Sequence, residues 1–130
     1  MVRHERESRV AVTTHVRRDP HTISAVLYDP SSRVKAIASC DNLPGQDFWW
    51  VTRVVVHPLD QRGRGYGSTV LKLMQDAVAA AMGPGGRVLV LPGGYGQNVE
   101  AQRRFYCKNG FVPAGQYGPE ALSWAPGERS

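Results

Sequence analysis

The sequence is organised around one segment in which a strand pattern leads through a glycine-rich loop into a helical pattern. Residues 48–57 (FWWVTRVVVH) are rich in aromatic and β-branched side chains, which favour a strand, and Pro58 ends the run. Beyond the loop, apolar side chains recur at the spacing of one helix face. This stripe consists of Val70, Leu71, Met74, Ala77, Val78 and Ala81, while Lys72, Gln75 and Asp76 fall on the other face. The sequence GPGG at residues 83–86 ends the predicted helix at Met82.

The remaining elements alternate in a way that predicts a mixed α/β domain. Alternating or β-branched runs predict strands at residues 9–16, 22–28 and 33–39, and the turn at 29–32 joins the last two in a hairpin. Residues 87–91 (RVLVL) have the apolar character of a parallel strand. A second helix at 99–108 and two final strands at 111–114 and 120–124 complete the order. We expect residues 1–130 to form a single domain, with residues 1–8 and 126–130 loose.

The loop before the long helix has the composition of a phosphate-binding site. It carries three alternating glycines, Gly63, Gly65 and Gly67, which allow close approach of the backbone to a ligand. The first helical turn offers N–H groups without internal partners, and the helix dipole favours an anion there. Arg62 and Arg64 add positive charge. The alternative is a plain strand-to-helix turn, in which the glycines only allow the backbone to turn tightly.

Two other classes of phosphate loop fit this segment poorly. A Walker loop needs a lysine before its serine or threonine, but Gly67 is followed directly by Ser68 and Thr69. A dinucleotide fingerprint needs G-x-G-x-x-G and an acidic residue at the end of the next strand. Residues 63–67 read G-x-G-x-G, and residues 91–94 (LPGG) contain no carboxylate.

The loop resembles that of the GNAT superfamily of acyl-CoA-dependent N-acetyltransferases. Residues 62–67 (RGRGYG) match its signature of arginine or glutamine, two residues, glycine, one residue, and glycine or alanine, after a valine-x-proline lead-in at 56–58. The segment from Pro58 to Gly65 is one residue longer than usual for that family. A second match is the aromatic-tyrosine pair Phe105-Tyr106, followed by Gly110-Phe111 at a helix end. The resemblance covers about residues 34–115.

This resemblance implies a mixed, mostly antiparallel central sheet with a splayed parallel strand pair and two main helices. The family normally has two further helices between its first two strands, and residues 17–21 leave room for neither. In the family, those two helices form one side of the acceptor pocket. The resemblance therefore implies a pocket that is more open or that a second subunit completes, and we predict a homodimer.

The resemblance also implies acetyl-CoA as co-substrate. Its pantetheine arm would lie between the splayed strands and pair with the backbone near Val54, Val55 and Val56. Its pyrophosphate would lie on the loop and first helical turn. The residues that this implies are Arg62, Gly63, Arg64, Gly65, Tyr66, Gly67 and Ser68.

The family chemistry is direct attack of a small-molecule or peptide amine on the thioester. The transition state needs a neutral amine, an oxyanion donor and a proton for the leaving thiolate. Tyr106 stands at the position of the family's tyrosine acid, and its alternative role is core packing. The implied oxyanion donor is a backbone N–H near Val56.

The general base is not evident, because residues 48–57 contain no carboxylate. His57 has a suitable intrinsic pKa but equally suits a strand-end surface position, and Asp41 and Asp47 are the other candidates. Cys107 offers a covalent alternative, although a cysteine beside an aromatic is typical of a small core residue. No His/Cys group has metal-ligand spacing, so we predict no metal.

Composition and net charge indicate which ligands and which cellular compartment suit the protein. The net charge of +5 suits attraction to coenzyme A phosphates or to nucleic acid, although an arginine-rich composition also reflects a GC-rich genome. The arginines that would serve nucleic acid are Arg3, Arg6, Arg9, Arg17 and Arg18. Two cysteines are too few for a disulfide framework, and no long apolar run occurs, so we expect a cytoplasmic protein without a membrane segment.

Two functions compete with that of an N-acetyltransferase. One is an acyltransferase that acts on or binds nucleic acid, and the other is a non-catalytic CoA-binding module, favoured by the missing carboxylate. Trp49 and Trp50 alternate across the strand, so one is expected in the core and the other at an acceptor cavity or interface. Tyr95 is a further candidate for substrate contact.

Overall fold

A computed structural model describes residues 11–13, 22–28, 33–42, 48–57, 65–82, 86–93 and 98–126. These ranges contain seven strands, two α helices and a short 3-10 helix. The strands are β1 (Ala11–Thr13), β2 (Thr22–Tyr28), β3 (Val34–Asp41), β4 (Phe48–Val56), β5 (Arg87–Val90), β6 (Val112–Pro113) and β7 (Leu122–Trp124). The helices are α1 (Tyr66–Met82) and α2 (Val99–Lys108), and the 3-10 helix covers Gly115–Tyr117.

The seven strands form one sheet in the order β1-β2-β3-β4-β5-β7-β6. Every neighbouring pair is antiparallel except β4 and β5, which are parallel. A parallel pair needs a crossover, and α1 supplies it. The predicted mixed, mostly antiparallel sheet with one parallel pair and two main helices is confirmed over the described residues.

The long helix α1 lies across the middle of the sheet because its apolar stripe faces small side chains there. Val70, Leu71, Met74 and Val78 are fully buried, against a sheet face that carries Ala25, Ala36, Ala38 and Cys40. Small side chains on the strands allow close approach of the helix backbone. Trp49 covers the end of this layer, and its indole N–H donates to the sulfur of Met82.

The element bounds differ from the predicted ones by one to a few residues. The third strand extends to Asp41 rather than residue 39, and the final strands are shorter than predicted. Of the first predicted strand, only Ala11–Thr13 is described as a strand, and the other predicted residues lie outside the described ranges. The helix begins at Tyr66, so Gly67 lies within its first turn rather than in the loop. The predicted gap at 17–21, where no helix pair was expected, also lies outside the described residues.

Gln75 was predicted on the polar face of α1, and that prediction is wrong. The side chain is only 4% exposed, and its amide nitrogen donates to the backbone oxygen of Asn109 at 3.2 Å. The reason is that α1 is flanked on this side by the end of α2. A buried amide needs such a partner, because an unpaired one costs free energy of desolvation.

Strand β4 contains a bulge that reverses its two faces. Cys40 pairs with Val51 and Ser39 with Arg53, so Thr52 is the extra residue. Its hydroxyl donates to the backbone oxygen of Ser39 at 3.2 Å. Before the bulge Trp49 faces the core, and after it Val54 packs against the core from an even-numbered position. Bulges of this kind bend a strand and re-aim its side chains.

Candidate active site

The parallel strands β4 and β5 separate and leave a cleft between them. They pair only at Phe48 with Arg87, Trp49 with Val88 and Trp50 with Leu89, although β4 continues to Val56. The cleft has a volume of about 760 Å³. Its walls are residues 51–54 and Val56 of β4, Val90, Leu91 and Gly93 after β5, Gly67 of α1, and Asn98, Ala101, Gln102, Phe105 and Tyr106 of α2. The size is that of a small-molecule or cofactor site, which spans roughly 300–1,000 Å³.

Tyr106 lies in the wall of this cleft and is held by other aromatic rings. It is 7% exposed, and its ring makes edge contacts with Phe105 and Phe111 at centroid distances of 5.1 and 5.3 Å. Burial raises the pKa of its hydroxyl to about 12. The hydroxyl therefore stays protonated at neutral pH, which is the state a proton donor requires.

The first turn of α2 is pinned to the loop that follows β5. Asn98 caps the helix, because its side-chain oxygen accepts the N–H of Ala101 at 3.0 Å. The side-chain oxygen of Gln102 accepts the N–H of Gly93 at 2.8 Å. These two bonds hold the wall of the cleft opposite β4. They also leave the amide nitrogens of both side chains as donors.

The start of α1 closes the other end of the cleft. Gly65 precedes the helix with φ of 73°, a left-handed conformation that favours glycine. A Cβ added to Gly67 would lie 3.3 Å from Phe105 and 3.5 Å from Val56, so only hydrogen fits there without displacement. The N–H groups of the first helical turn have no partner within the helix. These N–H groups are available as donors at this end of the cleft, and the phosphate site predicted for the loop stays a prediction.

A polar network joins the start of α1 to the end of α2. The side-chain nitrogen of Asn109 donates to the Ser68 hydroxyl at 3.1 Å and to the backbone oxygen of Phe105 at 2.8 Å. Gly110, with φ of 96°, then ends α2, and the backbone N–H of Phe111 donates to the backbone oxygen of Tyr106 at 3.1 Å. The predicted helix stop at Gly110 is confirmed.

The structure brings together only part of the predicted site. Val54, Val56, Gly67 and Tyr106 line the cleft. Three others, Gly65, Tyr66 and Ser68, belong to the adjoining start of α1, with the Lys35 ammonium over the Tyr66 ring at 5.9 Å. Val55 is 49% exposed and lies outside the cleft wall. Residues 61–64, which include Arg62, Gly63 and Arg64, lie outside the described residues.

The candidate bases do not meet in the cleft. His57 follows β4, where its backbone N–H donates to the backbone oxygen of Lys35, and it is absent from the described cleft wall. Asp41 accepts a hydrogen bond from Thr22 at 3.0 Å and also lies outside that wall. Asp47 lies outside the described residues. Cys107 is exposed, so its interpretation as a small core residue is wrong, and it too is outside the wall.

Trp49 and Trp50 lie on opposite sides of the sheet, as predicted. Trp49 is in the core, whereas Trp50 is half-buried beside Phe48, with ring centroids 5.7 Å apart. The arginines proposed for nucleic acid and the aromatic Tyr95 lie outside the described residues. The described residues contain no group of metal-ligating side chains and no helix long and apolar enough to cross a bilayer.

The cleft also contains residues that the sequence patterns did not indicate. Thr52, Arg53 and Gln102 all line it. For the first two a signal was present, because two adjacent polar residues interrupt the alternation of β4, which is typical of a bulge. Gln102 sits on a helix with a mostly polar sequence, where nothing distinguishes it from its neighbours.

Comparison with known families identifies the architecture. Residues 20–113 match the sequence model described as an acetyltransferase (GNAT) domain. The chain belongs to the GNAT acetyltransferase family. The GNAT domain match covers both α helices and every described strand except β1 and β7. No curated protein sequence matches the chain.

Solved structures agree with this assignment at the level of fold. A presumed acyl-CoA N-acyltransferase from Klebsiella pneumoniae aligns with TM-score 0.67 and 13% identity over 91% of this chain and 98% of its own. The N-acetyltransferase YhbS from Escherichia coli, solved with CoA, aligns with TM-score 0.62 and 15% identity over 85% and 62%. The PaiA N-acetyltransferase of Thermoplasma acidophilum, also with coenzyme A, gives 0.62 and 15% over 81% and 61%. The GNAT domain thus spans about three fifths of the two CoA-bound relatives.

Proposed function

We propose that the protein is an N-acetyltransferase that transfers an acetyl group from acetyl-CoA to a primary amine. The observation that carries this proposal is the cleft between β4 and β5, which connects the glycine-rich start of α1 with Tyr106. A cleft of this kind supports the proposal because one ligand could reach both the start of α1 and the Tyr106 hydroxyl along it. The CoA complexes of two structural relatives support the choice of cofactor.

In this proposal acetyl-CoA enters from the α1 end. The first-turn N–H groups of α1 and the Ser68 hydroxyl bind its pyrophosphate, with Arg62 and Arg64 adding charge. Beyond Trp50, β4 has no parallel partner, so its backbone from Val51 to Val56 can bond the amides of the pantetheine arm. The thioester then lies near the bulge, where the strands begin to separate.

The reaction proceeds by direct attack. The amine nitrogen forms a bond to the thioester carbon, the C–S bond breaks, and the sulfur takes the Tyr106 proton. A backbone N–H of β4 stabilises the oxyanion that forms. The nitrogen loses its extra proton to water, because no carboxylate is among the described residues of the cleft wall, and water returns a proton to the Tyr106 oxygen. The acceptor amine must therefore arrive neutral, and we assign no base role to His57.

Titration calorimetry with acetyl-CoA and with CoA tests the cofactor site. We expect micromolar binding that weakens at least tenfold in Arg62→Gln, because a charged hydrogen bond to phosphate contributes about 1.5–3 kcal/mol. Arg104→Gln is the matched control, since Arg104 is exposed on α2 outside the cleft wall. Absence of binding by the folded wild-type protein would refute the proposal. Binding of acetyl-CoA without CoA release in any amine panel would instead favour the non-catalytic CoA-binding alternative.

We also propose a cytoplasmic homodimer. Phe48 and Trp50 are half-buried on the sheet face opposite α1, where no described α helix packs, and Tyr117 beside them is 38% exposed. A second copy of the chain would cover this face. Sedimentation velocity should show a dimer at micromolar concentration, and Trp50→Glu should convert it to monomer while Lys72→Glu on exposed α1 does not. A wild-type protein that sediments only as a monomer would contradict this assembly.

A further inference from the structure

The described residues of the cleft wall carry a single charge, which is positive. Among the described residues that line it, Arg53 carries the one ionic charge, and none is a carboxylate. A site for a polyamine or another polycation would need the opposite sign. Electrostatic complementarity instead favours a ligand with negative charge.

Arg53 is placed at the end of the cleft away from the phosphate site. It follows the bulge at Thr52 and pairs with Ser39, so its side chain lies on the sheet face opposite α1. The side chain is exposed, and it has no hydrogen bond or ion pair to a described residue. Its guanidinium can therefore bind an anion without first breaking a contact with a described residue.

The neutral polar side chains of the opposite wall add further donors. The oxygen of Asn98 accepts from Ala101, and that of Gln102 accepts from Gly93. Each amide therefore offers the cleft its N–H groups rather than its oxygen. Three donor side chains, from β4 and from α2, thus line the walls on either side of the cleft.

Thr52 offers the cleft a hydrogen-bond acceptor rather than a donor. Its hydroxyl hydrogen is used by the Ser39 backbone oxygen, which leaves the hydroxyl lone pairs as acceptors at the bulge. A primary amine can donate to that oxygen. The cleft therefore has an acceptor for an amine immediately beside the positive charge of Arg53.

We infer that the acceptor substrate is a primary amine that carries a carboxylate or phosphate group a few bonds from its nitrogen. Arg53 binds that anionic group as a specificity-determining residue. A guanidinium suits this role because its fork of N–H groups matches the oxygens of either anion. The inference rests on the proposed acetyltransferase function and names its substrate class.

The test compares pairs of amines that differ in the anionic group. β-Alanine is paired with β-alaninamide, and phosphoethanolamine with ethanolamine, so that the two arms distinguish carboxylate from phosphate. The quantity measured is the ratio of kcat/KM within a pair, for wild type and for Arg53→Gln. Intrinsic differences in amine reactivity cancel between the two proteins. Arg104→Gln is again the matched control, and acetyl-CoA affinity is measured for all three.

We expect the wild type to prefer the anionic member of at least one pair by about tenfold, and Arg53→Gln to lose that preference with acetyl-CoA affinity unchanged. Arg53→Lys should keep part of it, because the charge remains without the fork. Equal ratios in wild type and Arg53→Gln, a uniform drop for all amines, or no acetylation of the anionic amines would overturn the inference. Failure of the wild type to bind acetyl-CoA would refute the proposed function itself.

Discussion

Replacing Tyr106 by phenylalanine is expected to lower kcat by about 100-fold or more while leaving acetyl-CoA affinity within about twofold. The substitution removes only the hydroxyl, and the ring contacts with Phe105 and Phe111 remain. Without that hydroxyl the leaving thiolate lacks its proton. The loss should therefore appear in kcat, because the cofactor contacts that we propose for the ground state lie on β4 and α1.

The burial of the Tyr106 hydroxyl also predicts how the stability of the fold depends on pH. The pKa of Tyr106 is raised to about 12 in the folded protein, whereas the pKa of a tyrosine in the unfolded chain is ~10. Between these values the unfolded chain loses the proton first, so the stability associated with burial of the neutral hydroxyl declines from pH ~10 to about 12. Thermal unfolding of wild type and Tyr106→Phe over this range should show the steeper decline in wild type.

Tyr117→Phe is the matched control for this substitution. Tyr117 is 38% exposed and contacts Phe48 outside the cleft wall, so its hydroxyl should not affect turnover. Steady-state kinetics at saturating acetyl-CoA, together with calorimetric titration, separates the two effects. An unchanged kcat in Tyr106→Phe would rule out the hydroxyl as the proton donor and leave Tyr106 a packing role.

Replacing Gly67 by valine is expected to weaken acetyl-CoA binding at least tenfold, which corresponds to about 1.4 kcal/mol. A Cβ at this position would already lie 3.3 Å from Phe105 and 3.5 Å from Val56, both of which line the cleft. The two methyl groups of valine would extend further into the space where α1 meets β4. They would also shield the first-turn N–H groups from a phosphate.

Gly115→Val is the control for Gly67→Val, because a Cβ at Gly115 meets nothing within 4 Å. Calorimetric titration gives the affinity, and thermal unfolding shows whether each variant is folded. Within a helix valine is itself more favourable than glycine, so helix propensity does not predict unfolding. A folded Gly67→Val protein with wild-type affinity would show that the cofactor does not pass this point.

Local patterns predicted most of the fold because each described element carries a signal in its own residues. The stripe of Val70, Leu71, Met74 and Val78 specifies α1, and alternation specifies the hairpin of β2 and β3. Gly110 specifies the end of α2, since a left-handed residue is needed there. These features depend on neighbours within a few positions along the chain.

The features that sequence reasoning missed depend on contacts between distant segments. Gln75 is buried only because the end of α2 lies against it. Thr52 becomes an unpaired bulge residue through its register with β3, and that register places Arg53 on the cleft. The proposed cofactor site was thus readable from a contiguous loop, whereas the proposed acceptor site is assembled by the fold.

The bond between Asn109 and Ser68 has a consequence for how the two helices move. Together with the Gln75 bond to Asn109, it fastens the start of α1 and the end of α2 into one unit. Because Asn109 also bonds to the backbone oxygen of Phe105, a shift of either helix would be transmitted to the other. The proposed phosphate site and Tyr106 would then move together and keep their separation.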